Sequence, residues 1–129
     1  MRAAVLLALM PASAVAEVVP VPSGQVVTLQ DVIWNEPGDA GLTMRFRFVA
    51  PAIARNGGTV SFETAEGDMQ FLCDTYALPR ARTVTGPEPA QIVISLSDVP
   101  VAFGEAAPEA TQFFEAYTPD GDTCRWEPF

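Results

Sequence analysis

The 129-residue chain contains no histidine and no lysine, and each absence excludes a class of function. Without histidine, Ser-His-Asp and Cys-His catalysis are excluded, and the commonest ligand for zinc or copper is missing. Seven arginines are the only basic residues, against sixteen acidic residues. Because nucleic acids and anionic lipid surfaces are bound largely through clustered cations, we expect neither as a partner.

The first sixteen residues are typical of a secretory signal. Arg2 supplies a positive charge, residues 3–10 are apolar, and residues 14–16 form an A-x-A cleavage site. We therefore predict a signal peptide over residues 1–16 and a single mature α+β domain over residues 17–129. No apolar run approaches the roughly 20 residues that a membrane span requires, so we expect no span in the mature chain. The predicted location is periplasmic, with secretion as the alternative; a retained, uncleaved anchor is less favoured.

Cys73 and Cys124 are the only cysteines. An even number of cysteines in an exported chain predicts a disulfide, which we expect to stabilise this small protein. Two buried free thiols are the next alternative. A redox role comes last, because reactive pairs are usually spaced as C-x-x-C and that spacing is absent here.

Alternating apolar and polar residues predict several short strands. The clearest is residues 42–49, where Leu42, Met44, Phe46 and Phe48 occupy one face and the other face is expected to be wet. The other predicted strands are residues 25–29 and 32–34 on either side of Gln30-Asp31, residues 59–62, residues 91–97, and a hairpin of residues 111–117 and 123–126 with Asp-Gly at its turn. A short helix over residues 109–117 is the alternative to the first hairpin strand.

One amphipathic helix is predicted over residues 65–78. Thr64 is the expected N-cap, Pro79 is expected to end the helix, and Cys73 lies on its apolar stripe. Residues 80–90 are predicted to be a loop. The predicted fold is therefore α+β, a mostly antiparallel sheet of short strands with one amphipathic helix packed on it, and the disulfide would join that helix to the last strand.

Arg45 and Arg47 are the weak candidates for contact with a ligand or partner. They fall on the same face of one strand and could clamp an anion, since arginine binds carboxylates bidentately. Cross-strand pairing with acidic residues is the favoured alternative.

Other polar and aromatic clusters have structural explanations. Glu105, Glu109 and Glu115 are typical of a solvated face, and Asp120-Gly121-Asp122 fits a hairpin turn better than a calcium loop. The aromatic-rich C-terminal region is expected to pack in the core, with a protein-binding patch as the alternative. We assign no catalytic, cofactor-binding or metal-binding residue and expect no cofactor.

Four segments resemble a family of small exported alphaproteobacterial proteins of unknown function. They are residues 29–34 (LQDVIW), 73–79 (CDTYALP), 94–98 (ISLSD) and 109–115 (EATQFFE). The resemblance covers the mature chain and implies an exported domain, without an activity or a site. Relatives are sometimes labelled acetolactate synthase. That label is implausible here, because the chain is far too short to hold thiamine diphosphate and its metal and lacks an evident phosphate-binding loop.

The sequence does not define an activity, and it favours a non-enzymatic role. The leading hypothesis is a periplasmic accessory or protein/ligand-binding module. The alternative is a small carboxylate-dependent hydrolase or lyase acting on envelope carbohydrate. A third hypothesis, an inhibitor-like protein, would need residues 80–89 as an exposed rigid loop. The partner is unknown, and an envelope protein is one candidate.

Overall fold

The computed structural model describes residues 17–38, 41–83 and 88–128. Five strands form one sheet in the order β1-β2-β3-β4-β5. Their bounds are β1 Thr28–Gly38, β2 Gly41–Val49, β3 Gln91–Ser97, β4 Gln112–Asp120 and β5 Thr123–Glu127. The predicted signal peptide, residues 39–40 and residues 84–87 of the predicted loop lie outside the described residues.

All neighbouring strands are antiparallel except β2 and β3, which are parallel. Parallel neighbours need a long crossover, usually a helix, and here the crossover carries the helix across one face of the sheet. The predicted fold class, a mostly antiparallel sheet with one helix packed on it, is confirmed. The helix alternative for residues 109–117 is wrong, because residues 112–117 pair with β3 as part of β4.

The two strand pieces predicted around Gln30-Asp31 belong to one strand with a bulge. Leu29 pairs with Phe48 and Asp31 pairs with Arg47, and the pairing register shifts between them. In a regular strand, residues two apart share a face. The extra residue, Gln30, places Leu29 towards the helix and Asp31 on the opposite face, which we call the open face of the sheet.

The helix is longer than predicted at both ends. It comprises α1 (Phe62–Leu72), a π-helical segment (Cys73–Ala77) and α2 (Leu78–Thr83), 22 residues in all. The N-cap is Ser61, whose Oγ accepts from the Thr64 backbone N–H at 3.2 Å, so the prediction of Thr64 as the cap is wrong.

Pro79 does not end the helix, contrary to the prediction. In a regular α-helix the proline ring clashes with the carbonyl four residues earlier and interrupts the hydrogen-bond ladder. Here the preceding turn is π-helical, and the Leu78 N–H donates to the carbonyl of Cys73, five residues back. The wider turn gives the proline ring room. Residues 80–83, predicted to be loop, are therefore helical.

The predicted strand over residues 59–62 is also wrong. After the turn at Gly57, which has a φ of +80°, the Thr59 and Val60 N–H groups both donate to the Ala52 carbonyl, at 2.9 and 3.0 Å. Gly58 packs so closely that a Cβ there would lie 2.1 Å from the Ala54 carbonyl oxygen. The segment therefore folds back on itself and leads into α1 instead of pairing with the sheet.

The core lies between the helix and the facing side of the sheet. Phe46 and Phe48 of β2 meet the ring of Tyr76 edge-on, with centroids 6.2 and 5.7 Å apart. The largest fully buried apolar side chains are Phe46, Phe48, Met69, Leu72, Leu78, Ile92, Ile94, Leu96 and Val27, with Tyr117. The core face predicted for β2 is confirmed for Met44, Phe46 and Phe48, but Leu42 is exposed. The prediction that the opposite face is wet is wrong, because Thr43 and Arg47 on that face are buried. The burial predicted for β3 is confirmed.

Cys73 and Cys124 form the predicted disulfide, which joins the π-helical segment to β5. Two helix side chains reinforce this connection: Gln70 Nε2 donates to the Cys124 carbonyl at 2.8 Å, and Asp74 Oδ1 accepts from the Cys124 N–H at 2.7 Å. Because β5 is an edge strand, these side chains satisfy backbone groups that another strand would otherwise pair with.

A buried carboxylate holds the N-terminal segment against α1. Asp68 is 1% exposed and accepts hydrogen bonds from the Ser23 N–H at 3.0 Å, from the Ser23 hydroxyl and from Gln25 Nε2 at 2.7 Å. The same segment reaches the sheet edge, where Val18 bridges to Thr28. Residues 17–25 are thus packed against both layers. In the part of the chain that the structure describes, no helix is long and apolar enough to cross a membrane.

Candidate functional site

The open face of the sheet carries a row of side chains that crosses four strands. Asp31 pairs with Arg47, Arg47 with Ser95, and Ser95 with Phe114. Since directly paired residues share a face, their side chains lie side by side across the sheet. The adjacent row includes Arg45, so both candidate arginines lie on the open face, as their spacing predicts.

Arg47 is buried on the open face, where a wet surface is predicted. Its side chain is 9% exposed and its Nη1 lies 2.7 Å from Asp31 Oδ2. This is the cross-strand ion pair considered as the alternative to an anion clamp. The Arg47 Nη2 donates to the carbonyl oxygen of Val101, in the connection between β3 and β4. Arg47 therefore joins three parts of the chain.

The connection between β3 and β4, residues 98–111, folds over the open face, and we call it the covering loop. At its base, the Asp98 N–H donates to the Thr111 carbonyl at 3.0 Å and Asp98 Oδ1 accepts from the Thr111 N–H at 2.8 Å. In its middle, the Val101 carbonyl also accepts from Gln30 Nε2 at 2.8 Å. Loops of this size with closed ends form compact Ω-loops, which are frequently functional.

A cavity of about 210 Å³ lies between the covering loop and the open face. We call it the loop cavity. Arg45, Arg47, Gln112 and Phe114 contribute to its lining from the sheet, and residues 101–105 from the loop. The lining residues with polar side chains are Arg45, Arg47, Glu105 and Gln112. This combination can hold a small charged molecule.

Two aromatic rings at the loop cavity remain substantially exposed. Phe103 is 49% exposed and Phe114 43% exposed. The Phe103 ring centroid lies 5.8 Å from Arg45 Cζ and 5.5 Å from Arg47 Cζ, within the range of cation–π attraction. Exposed rings beside buried polar groups provide apolar surface that a ligand can cover.

Sequence reasoning identified the two arginines but not the other lining residues. Phe103, Glu105 and Gln112 lie in or next to a segment without hydrophobic periodicity, so no pattern assigned them to a face. The sequence feature that could have indicated a turn beside these residues is Gly104. In the structure Gly104 has a φ of +81°, and it forms the tight turn that presents Phe103 and Glu105. Gln30 was also missed as a loop anchor, because its orientation depends on the bulge.

The structure separates the acidic residues noted in the sequence. Glu105 lines the loop cavity and Glu109 is exposed on the covering loop, whereas Glu115 is buried and accepts a hydrogen bond from Trp126 Nε1. Residues 120–123 form the hairpin turn, with Gly121 at a φ of +60°. Within residues 17–38, 41–83 and 88–128, no three potential metal ligands of the His, Cys, Asp and Glu types lie together.

The side chains with shifted pKa values lie outside the loop cavity. Burial raises the pKa of Tyr117, and burial together with the hydrogen bond to Glu17 raises that of Tyr76. A hydrogen bond from Arg125 lowers the pKa of Glu127 at the end of β5. Both tyrosines are buried in the core. The prediction that the C-terminal aromatic residues pack in the core is therefore confirmed for Tyr117, but it is wrong for Trp126, which is exposed.

Together, the fold and the cavity define a small sheet-and-helix protein whose open face is partly covered by one ordered loop. The chain belongs to a family of unknown function, DUF6497, which matches it over residues 4–129. No curated protein and no solved structure matches the chain.

Proposed function

We propose that this protein is an exported, non-enzymatic binding module that holds a small organic carboxylate in the loop cavity. The observation that supports binding is the lining itself, in which Arg45 and Arg47 lie beside the exposed rings of Phe103 and Phe114. A guanidinium group recognises a carboxylate through charge-assisted hydrogen bonds. The rings offer apolar contact to the rest of the ligand, so both ends of such a molecule have a matching surface.

The anchoring of Arg47 supports binding by a preformed site. Arg47 is held by Asp31 and by the Val101 carbonyl, and Gln30 holds the same carbonyl. A guanidinium carries five N–H donors, and these contacts use two of them. The side chain is thus fixed before a ligand arrives, which lowers the entropic cost of binding.

The geometry favours binding over hydrolysis of envelope carbohydrate. Glycoside hydrolysis generally uses two carboxyl groups on either side of the scissile bond. Among the described residues that line the loop cavity, one carboxylate is present, that of Glu105. No specific observation supports the enzymatic alternative.

Binding can be tested with two carboxylates that share a branched apolar chain, 4-methylpentanoate and L-leucine. We expect at least one to produce saturable shifts of backbone amide NMR signals in β2 and the covering loop. Phe103→Ala should weaken binding about tenfold, since a half-exposed ring contributes roughly 1.4 kcal/mol when a ligand covers it.

Phe71→Ala is the matched control for that experiment. Phe71 is a comparably exposed ring, at 39%, but lies on α1 on the other side of the sheet. It should therefore leave the affinity unchanged. If neither carboxylate gives saturable shifts, or if both variants weaken binding equally, the loop cavity is not the binding site.

Export is supported by the leader pattern of residues 1–16 and by the buried disulfide. We propose a periplasmic location, with secretion into the medium as the alternative. Fractionation of the native host followed by intact-mass measurement should find a chain that begins at Glu17 outside the cytoplasm, with both cysteines oxidised. A full-length, reduced chain in the cytoplasm would contradict the proposal.

A further inference from the structure

A second surface lies on the helix-facing side of the sheet, at the edge formed by β4 and β5. Phe62 of α1 meets Phe113 of β4 edge-on, with ring centroids 5.0 Å apart. Phe113 and Glu115, two positions apart, pair with core residues of β3, so both lie on the helix-facing side. Trp126 of β5 donates its indole N–H to Glu115. These contacts form one continuous group of Phe62, Phe113, Glu115 and Trp126, which we call the aromatic patch.

We propose that the aromatic patch docks a protein partner through an arginine side chain of that partner. The guanidinium group would lie against the Trp126 ring and bond to the Glu115 carboxylate, and apolar neighbours of that arginine would cover Phe62. The loop cavity is on the opposite face of the sheet, so this inference goes beyond the proposed ligand binding and does not depend on it.

Exposed aromatic rings are the first observation that supports docking. Trp126 is 52% exposed and Phe62 is 43% exposed. The Trp126 ring is held by its hydrogen bond to Glu115, so little side-chain freedom is lost when a partner covers it. Tryptophan is among the residues that contribute most to the affinity of protein interfaces, and a group of exposed rings typically marks such a surface.

The second observation is the burial of the Glu115 carboxylate. Glu115 is 7% exposed, and burying a carboxylate is costly unless a cation or hydrogen bonds compensate it. Within the described part of the chain no ion pair involves Glu115, and the arginines pair with other carboxylates, those of Glu17, Asp31, Glu88, Asp120, Asp122 and Glu127. Arg45 and Arg47 lie on the open face, on the far side of the sheet. The Trp126 N–H uses one of roughly four acceptor sites of the Glu115 carboxylate, so a partner's guanidinium group can still bond to it.

The third observation is the negative charge around the patch. Tyr117 pairs with Trp126 across β4 and β5, and after burial the carboxylates of Glu115, Asp74 and Glu66 raise its pKa further. All three carboxylates therefore act on the same region. The chain carries a formal net charge of −9, so a second copy would bring more negative charge, whereas a cationic partner is attracted. Arginine fits better than lysine because its planar guanidinium group both stacks on an aromatic ring and binds a carboxylate bidentately.

The test uses two synthetic peptides, acetyl-Leu-Arg-Leu-amide and the same peptide with citrulline, which keeps the shape of arginine without its charge. NMR titration of the mature protein at neutral pH follows the Trp126 indole N–H and the backbone amides of β4 and β5. We expect saturable shifts and an affinity at least about tenfold higher for the arginine peptide, because citrulline loses both the ion pair and the cation–π contact.

Glu115→Gln should remove the preference for the arginine peptide, since glutamine still accepts the Trp126 N–H but carries no charge. Trp126→Leu should weaken binding about tenfold through loss of the ring, whereas Trp34→Leu should not, because Trp34 is 47% exposed on β1 at the opposite edge of the sheet. Equal binding of the two peptides, no saturable shift, or equal effects of Trp126→Leu and Trp34→Leu would overturn the inference and leave the carboxylate-binding proposal intact. A dimer in sedimentation experiments that Trp126→Leu dissociates would also overturn it, since a second copy would then cover the patch.

Discussion

Replacing Cys73 and Cys124 together with alanine is expected to lower the free energy of unfolding by about 4 kcal/mol. The two residues are separated by 51 positions, and they join the helix to the edge strand β5. Without the cross-link, the unfolded chain regains the conformational freedom of that long loop, so the unfolded state becomes more favourable. Urea denaturation at neutral pH, followed by circular dichroism, measures the difference.

The natural protein under reducing conditions is the control for this substitution. It has lost the cross-link but keeps both sulfur atoms in the core, so it should be nearly as destabilised as the double variant. A loss below about 1 kcal/mol in both would contradict the prediction, since disulfides in small domains typically contribute 2–4 kcal/mol.

Hydrogen exchange measured strand by strand distinguishes a local effect of losing the disulfide from destabilisation of the whole fold. Gln70 and Asp74 still bond to the backbone of Cys124 when the sulfur atoms are absent, so β5 has a remaining connection to the helix. Hydrogen exchange should therefore accelerate most in Thr123–Glu127 and least in Gln91–Ser97, the central buried strand.

The parts of the fold that followed from the sequence are those governed by local pattern. The period-two alternation of β2 identifies the strand and its core face, the apolar run of β3 indicates burial on both faces, and Asp-Gly marks the hairpin between β4 and β5. The helix ends were wrong because they depend on structure outside the local pattern. Ser61 and Thr64 are both good caps, and the π turn that accommodates Pro79 has no simple sequence signature.

The candidate site could be predicted only in part, for a related reason. Because side chains alternate between the two faces of a strand, the sequence places Arg45 and Arg47 on one face of β2. The residues beside them on neighbouring strands depend on the strand register, which the sequence does not show. Asp31 faces Arg47 because Gln30 forms a bulge, so the polar pair that was predicted to separate two strands lies within one continuous strand. Phe103 enters the site through a loop held by long-range hydrogen bonds, which a local pattern does not encode.

Replacing the buried Asp68 with alanine is expected to lower the free energy of unfolding by about 3 kcal/mol. Its carboxylate accepts three hydrogen bonds, and bonds to charged groups contribute roughly 1.5–3 kcal/mol each, offset by the cost of burying the charge. In the variant, the Ser23 N–H and the Gln25 amide lose a buried acceptor. Urea denaturation at neutral pH checks the value.

Two variants on the same helix make the Asp68 prediction specific. Glu66→Ala removes an exposed acid two positions earlier and should change stability by less than about 0.5 kcal/mol. Asp68→Asn keeps the size of the side chain but replaces one acceptor oxygen with a donor, so it should lose about half as much stability as alanine. Faster hydrogen exchange confined to residues 23–25 in both Asp68 variants would locate the loss at the N-terminal segment. Equal stability of Asp68→Ala and Glu66→Ala would mean that this carboxylate does not hold the segment to the helix.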